Sequence, residues 1–275
     1  MESESSNEQT SGRTLPWILL ATFVIVTVIN FGARWLPGGA DQFRDMRETR
    51  VDAAAYAFPV IWSLIFFGMI GFAIHLIRHR NEATRSLDSA IKWLLVAGAA
   101  SIAFAPISLY ASSTAVWLDI VVHLFSLIAA QVCLRRHIRE IAAKHHRPHW
   151  WYVPPSLYLG WISAAMVISS ALALRENRIM VQPEVAEIVT LMVIGCLTIL
   201  GALMVERQDC PFSLTLAWAF IAIGVKQSPF PLIQKTAWGA AAIMIVMSAT
   251  AWYLKRFFYA DTSNALPAQI NAPHN

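Results

Sequence analysis

Asp119 and His123 are the residues whose types and spacing could do chemistry inside an apolar segment of this chain. They are four positions apart, so on a helix they share a face and can form a carboxylate–imidazole pair. An ionisable side chain at the centre of a membrane helix costs about 2.5–3.5 kcal/mol, which makes such a residue a functional-site hypothesis. The alternative is a structural role, in which Asp119 hydrogen-bonds to a neighbouring helix. The sequence alone leaves both interpretations open.

Other kinds of reactive site find little support in the sequence. No third metal ligand has helical spacing with Asp119 and His123, so we expect no metal site. Walker, GxGxxG, HExxH and GxSxG motifs are absent from the sequence, and we therefore expect no catalytic residue, no cofactor and no enzymatic activity. The histidines of segment 145–149 adjoin Lys144 and Arg147, a pattern typical of a basic interfacial loop. The three cysteines form no CxxC pair and are expected to be packing residues.

The elements that must position the Asp119–His123 pair are continuous apolar segments. The chain has 275 residues, of which 57% are hydrophobic and 14% charged, whereas soluble domains average about 25% charged residues. Segments of about 20 apolar residues match a bilayer core of about 30 Å when helical. The predicted fold class is all-α, a polytopic transmembrane helical bundle of about eight helices. The predicted spans are Leu15–Leu36, Tyr56–Ile77, Ile91–Leu109, Thr114–Leu134, Val153–Leu174, Glu184–Val205, Phe212–Val225 and Lys235–Leu254.

The distribution of basic residues predicts the orientation of the spans. With eight spans, 13 of the 21 Lys and Arg residues lie on the side of the amino terminus. The positive-inside rule then places both termini in the cytoplasm, in what we expect to be a bacterial inner membrane. Segment 212–225 is short for a span, and a re-entrant segment is the alternative. Residues 1–14 are predicted to be a disordered cytoplasmic tail and residues 259–275 a second tail.

An aromatic group marks the start of the second span. The group consists of Tyr56, Phe58 and Trp62, and it surrounds Pro59. A proline in the first turn of a helix removes no hydrogen bond, because the N–H groups of that turn have no partner within the helix. An interfacial aromatic belt and a ligand-binding wall explain this group equally well. The preceding loop, residues 37–55, could cover such a site or be a solvated linker.

Four short motifs, in order on successive predicted helices, resemble the TspO/MBR family, the tryptophan-rich sensory proteins related to the mitochondrial translocator protein. Ser101 and Phe104 stand where that family has Asn and Trp. The motifs are Phe58-Pro59-Val60-Ile61-Trp62 with Met69-Ile70-Gly71, then Ser101 with Phe104-Ala105-Pro106, then Ala115 to Ile120, and Tyr158-Leu159-Gly160-Trp161-Ile162-Ser163.

The resemblance implies a five-helix bundle over residues 15–175, followed by three additional transmembrane helices over residues 176–258. It also implies a cavity for tetrapyrroles and other flat hydrophobic molecules, so a porphyrin or haem is a candidate ligand. The lipid bilayer is the other expected partner, a homodimer is allowed, and nucleic acid is not expected. The predicted ligand-binding residues are Tyr56, Phe58, Trp62, Ser101, Phe104, Asp119, His123 and Trp161.

Two other classes of function are compatible with these residues, and a third, an enzyme that degrades a tetrapyrrole or modifies a lipid, ranks last because no nucleophile or metal set supports it. In a proton-coupled small-molecule transporter, Asp119 and His123 would relay the proton and the last three helices would complete the path. In a structural membrane protein, the same residues would serve contacts between helices. A binding protein for apolar ligands that senses or translocates them is the first hypothesis.

Overall fold

The computed structural model describes residues 2–32, 49–79, 85–142, 152–179 and 182–265. Within these ranges the regular secondary structure consists of eight α-helices and no strand, which confirms the predicted all-α class. Seven of the eight are long and apolar enough to cross a bilayer. The helices are α1 (Glu2–Gly32), α2 (Ala57–Arg78), α3 (Arg85–Tyr110), α4 (Ser113–Ala142), α5 (Val153–Glu176), α6 (Pro183–Glu206), α7 (Cys210–Lys226) and α8 (Pro231–Ala265).

The two end helices extend beyond the predicted spans. Helix α1 begins at Glu2, so the backbone of residues 2–14 is helical where we expected a disordered tail. Helix α8 likewise continues to Ala265, past the predicted boundary at residue 258. Each residue added to an existing helix gains one hydrogen bond, so extending a helix is more favourable in free energy than nucleating a new one. The side of the membrane on which each end lies stays a prediction.

The first five helices form a closed ring. Each of them packs against two neighbours, in the order α1, α2, α5, α4, α3 and back to α1. Only Ala111 and Ser112 separate α3 from α4, and such a short link makes the two helices antiparallel neighbours. Fully buried apolar side chains from the ring helices belong to the core, among them Phe23, Ile65 and Leu94. The five helices of this ring are those for which the resemblance implied a bundle over residues 15–175.

The last three helices pack around α7. This helix contacts α6 and α8, and it also lies against α5 and α2 at the outside of the ring. Its 17 residues correspond to about 25 Å of helix, close to the lower limit for a span. Ten of the 17 are buried. Helix α7 therefore joins the three-helix group to the ring, whereas its full or partial crossing of the membrane stays a prediction.

The described end of the loop before α2 is packed against α7. The Gln227 side-chain amide donates to the backbone oxygens of Thr49 and Asp52 at 2.9 and 3.1 Å. The backbone N–H of Ala54 donates to the backbone oxygen of Ala222 at 3.0 Å. This part of segment 37–55 is thus not a solvated linker. Residues 37–48, like the histidine-containing segment 145–149, lie outside the described residues.

Candidate functional site

The predicted pairing of Asp119 with His123 is present on α4. The imidazole Nδ1 of His123 lies 3.0 Å from the backbone oxygen of Asp119 and 3.2 Å from its carboxylate Oδ2. Nδ1 carries at most one proton, and the hydrogen-bond geometry directs it to the backbone oxygen. The carboxylate therefore lies close to the imidazole without a hydrogen bond to it, and Oδ2 makes no hydrogen bond within the described residues. His123 is 1% exposed and Asp119 is 8% exposed, so the pair is inside the bundle.

A chain of polar contacts continues from His123 to two other helices. Its Nε2 lies 3.0 Å from Ser101 Oγ on α3, and Ser101 Oγ in turn contacts the hydroxyl of Tyr158 on α5. One set of directions gives Tyr158, Ser101 and His123 each a partner: Tyr158 donates to Ser101, Ser101 donates to Nε2 of His123, and Nδ1–H of His123 donates to the backbone oxygen of Asp119. We call Asp119, His123, Ser101 and Tyr158 the buried polar chain.

A side chain of helix α1 hydrogen-bonds to the backbone next to the buried polar chain. The side-chain amide of Asn30 donates to the backbone oxygen of Ser101 at 3.1 Å and to that of Val26 at 3.0 Å. A carbonyl oxygen has two lone pairs, so Ser101 can accept this bond in addition to any intrahelical one. Asn30 thereby ties α1 to the turn of α3 that carries the Ser101 hydroxyl.

Aromatic rings from α2, α3 and α5 lie beside the buried polar chain. The ring centroid of Trp62 is 5.0 Å from that of Phe66, 5.9 Å from Tyr158, 6.2 Å from Trp161 and 6.4 Å from Phe104. These separations fall in the range of favourable aromatic pairs. The aromatic cluster, as we define it, consists of these five rings and Phe58, whose centroid is 5.3 Å from that of Trp161.

Helical spacing explains how the cluster forms on each helix. Phe58, Trp62 and Phe66 follow one another at intervals of four on α2, so they lie on one face. Tyr158 and Trp161 are three apart on α5 and share a face in the same way. Tyr158 belongs to both groups, because its ring packs on Trp62 while its hydroxyl contacts Ser101. Rings and polar atoms therefore form one continuous site.

One polar atom of the aromatic cluster has no partner. Trp161 is 1% exposed, and its indole N–H finds no hydrogen-bond acceptor among the described residues. Buried polar groups of proteins are bonded in roughly 90% of cases or more, so each exception calls for an explanation.

Seven of the eight predicted site residues lie in the buried polar chain or the aromatic cluster, and Tyr56 does not. Tyr56 is 46% exposed, and its ring packs edge-on against Trp218 of α7 at a centroid distance of 6.0 Å. The sequence reasoning omitted Tyr158, Phe66 and Asn30 from the site. Helical spacing from Trp161 and Trp62 could have found the first two, and Asn30 is a polar residue within a predicted span.

The site offers binding groups more readily than a metal centre. Within the described chain, no three His, Cys, Asp or Glu side chains are grouped so as to hold a metal ion. The imidazole nitrogens of His123 are both engaged with protein atoms. The remaining chemistry is stacking on the rings and hydrogen bonding at the buried polar chain and the Trp161 N–H.

The fold and the site together define a multi-pass helical membrane protein with an aromatic and polar interior. The family model described as TSPO-like protein matches residues 16–250, and the chain belongs to this family. The match continues past residue 175 through α6 and α7 and covers α8 as far as residue 250. No curated protein and no solved structure matches the chain.

Proposed function

We propose that this protein binds a flat hydrophobic ligand, with tetrapyrroles as the candidate class, at the aromatic cluster and the buried polar chain. The observation that carries the proposal is the place of Tyr158 in both groups. A ligand stacked on Trp62 would therefore lie within reach of polar groups that could orient it. Apolar walls with a few convergent polar groups are typical of small-molecule sites. Binding at such a site would serve sensing or translocation of the ligand.

The buried polar chain supports a functional site over a purely structural core. Burying polar side chains such as these costs free energy that apolar side chains of similar volume do not cost. In a lipid-embedded ring, the cost of placing Asp119 and His123 at depth is higher still. Membership of the TSPO-like family supports a ligand-binding or transport role of a general kind. The absence of enzymatic activity stays a prediction.

Binding of protoporphyrin to a double variant tests the proposal. Trp62→Ala with Trp161→Ala removes two rings of the cluster, and each aromatic contact contributes about 0.5–1.5 kcal/mol beyond its buried area. We expect the dissociation constant to rise by roughly 5- to 150-fold. The measurement is a titration of purified protein in detergent followed by the absorbance of the porphyrin, so the loss of tryptophan fluorescence does not interfere.

The matched control replaces two tryptophans outside the site. Trp17 and Trp93 are 59% and 43% exposed, so Trp17→Ala with Trp93→Ala makes the same chemical change on the surface of the bundle. We expect this variant to bind protoporphyrin as the unmodified protein does. Equal affinities of the two double variants would exclude the aromatic cluster as the binding site.

The buried polar chain also supports a second candidate, proton-coupled transport. Contacts link the side chains of His123, Ser101 and Tyr158 from α4 through α3 to α5, and the Asp119 carboxylate lies 3.2 Å from His123 Nδ1, an arrangement that a proton relay could use. Asp119→Asn keeps the shape of the side chain and removes its ability to ionise. We expect this variant, in proteoliposomes, to lose the dependence of protoporphyrin uptake on a pH gradient. Glu184→Gln on the exposed start of α6 is the control, and uptake by Asp119→Asn that still follows the gradient would rule out the relay.

We further propose a bacterial inner membrane as the location, with both termini in the cytoplasm. The support is the excess of Lys and Arg on the side of the amino terminus, 13 of 21 when eight spans are counted. Labelling of single cysteines placed in each tail of a cysteine-free protein would report the sides.

A further inference from the structure

We infer that the ligand of this site is uncharged and presents a hydrogen-bond acceptor to the indole N–H of Trp161. The inference rests on the proposed function, since it assumes that the aromatic cluster holds a ligand. It is drawn from the unpartnered N–H and from the charges around the site.

The first observation is the N–H of Trp161. A buried donor without an acceptor forfeits the hydrogen bond it would make in water, which is unfavourable for the folded protein. The ring itself is well placed, with the rings of Phe58 and Trp62 packed edge-on against it at 5.3 and 6.2 Å. The local packing therefore satisfies the apolar part of the indole and leaves its polar atom unsatisfied. A carbonyl, ester or ether oxygen on a bound molecule would complete the hydrogen bond.

The second observation is the charge of the interior. Among the described side chains, the buried polar and charged set contains Asp119 and His123 but no Lys or Arg. Arg135, near the C-terminal end of α4, is already paired with the buried carboxylate of Asp209. A ligand carboxylate in the site would thus lie near the Asp119 carboxyl group, and no buried Lys or Arg among the described side chains would pair with it. Burying an unpaired charge is strongly unfavourable.

These two observations narrow the ligand class. Protoporphyrin carries two carboxylates that are ionised at neutral pH, whereas its dimethyl ester carries none and offers two ester carbonyl oxygens. The geometry thus favours an ester-like or ketone-like flat molecule over a dicarboxylate. An acceptor-free hydrocarbon would stack on the rings but leave the Trp161 N–H unsatisfied.

The first experiment compares two porphyrins with the unmodified protein. Titrations in detergent at neutral pH are expected to give at least about tenfold tighter binding of protoporphyrin dimethyl ester than of protoporphyrin. Equal or tighter binding of the free acid would overturn the inference and leave the proposed function standing. Binding of neither porphyrin, nor of the hydrocarbon perylene, would overturn both.

The second experiment isolates the N–H. Trp161→Phe keeps an aromatic ring and removes the donor, so the affinity for protoporphyrin dimethyl ester is expected to fall roughly 2- to 13-fold, the effect of one ordinary hydrogen bond. Perylene, which has no acceptor, should lose less affinity than the ester does. Trp93→Phe on the exposed surface should change neither. Equal losses for the ester and for perylene would show that the N–H does not bind the ligand.

Discussion

Replacing Gly160 with leucine is expected to separate α5 from α7 and to destabilise the folded protein by about 3 kcal/mol or more. A Cβ atom at position 160 would lie 2.7 Å from the backbone oxygen of Phe212 and 3.0 Å from Cβ of Thr215, both on α7. The first of these is a backbone atom, so no side-chain rotation relieves the contact. The two helices must move apart, and α7 would lose its close contact with α5. Thermal unfolding in detergent measures the loss.

The same leucine substitution at Gly195 is the control. Nothing lies within 4 Å of a Cβ at that position, so the added side chain meets open space. Leucine has a higher helix propensity than glycine by roughly 0.5–1 kcal/mol, and Gly195→Leu should therefore leave the unfolding temperature unchanged or raise it. The contrast removes helix propensity as an explanation. Equal unfolding temperatures for the two variants would show that α5 and α7 do not approach closely at Gly160.

The Gly160 substitution should also weaken ligand binding. Gly160 lies between Tyr158 and Trp161 on α5, and both belong to the aromatic cluster. A displacement of this turn of α5 moves both rings relative to Trp62. The porphyrin titrations described above measure the effect, with Gly195→Leu again as the reference.

The second large effect is expected from Arg135→Ala. The guanidinium of Arg135 donates to Oδ2 of Asp209 at 2.7 Å and to the backbone oxygen of Arg207 at 3.3 Å. Asp209 is 2% exposed, and its Oδ1 accepts the Phe212 backbone N–H at 3.4 Å, capping the start of α7. Removing Arg135 leaves this carboxylate buried without its cation. We expect a loss of about 2 kcal/mol, below the 3–5 kcal/mol of a fully buried pair because the Arg135 side chain is 31% exposed.

Two further variants separate the ion pair from general effects on α4. Arg136→Ala removes an exposed neighbouring arginine and should change the free energy of unfolding by less than about 0.5 kcal/mol. Adding Asp209→Asn to Arg135→Ala removes the unpaired charge and keeps a side chain able to cap the helix, so part of the stability should return. An Arg135→Ala protein as stable as Arg136→Ala would contradict the assigned role of the pair.

A tyrosine hydroxyl completes the contacts around this ion pair. Tyr152 donates to the backbone oxygen of Gln208 at 3.2 Å, next to Asp209 in the turn between α6 and α7. Burial is the main cause that raises the pKa of Tyr152, the negative charge of Asp209 raises it further, and the positive charge of Arg135 lowers it in part. The hydroxyl therefore keeps its proton at neutral pH and remains a donor. Arg135 and Tyr152 together hold the turn that leads into α7 to the ends of α4 and α5.

The parts of the site that lie within one helix could be predicted from the sequence. Residues three or four apart on a helix share a face whatever the helix packs against, which brings Asp119 to His123 and Phe58 to Trp62. The resemblance to the TspO/MBR family indicated which helices contribute residues to the predicted site. Ser101 and Trp161 are predicted site residues through these motifs, and they lie in the buried polar chain and in the aromatic cluster, respectively.

Contacts between helices explain what the sequence missed. The hydroxyls of Tyr158 and Ser101 are 57 residues apart in the chain, and no periodicity indicates that they touch. Tyr56 was assigned to the site because it precedes Phe58 and Trp62. It packs on Trp218 instead, because α7 lies against α2 and α5 at this point. The sequence of a short apolar helix such as α7 does not indicate which other helices it will pack against.

The sequence by itself determined the all-α class, the apolar segments and the residues that share a helix face, because length, hydropathy and helical periodicity are local properties. The tertiary structure alone decided the order of helices in the ring, the closure of the buried polar chain by Tyr158 and the position of α7 between the ring and the last helices. Each of these depends on close approach of distant segments, as where the missing Cβ of Gly160 admits the backbone of Phe212. Close packing of this kind depends on the shapes of both contacting surfaces, and the sequence of one segment describes only one of them.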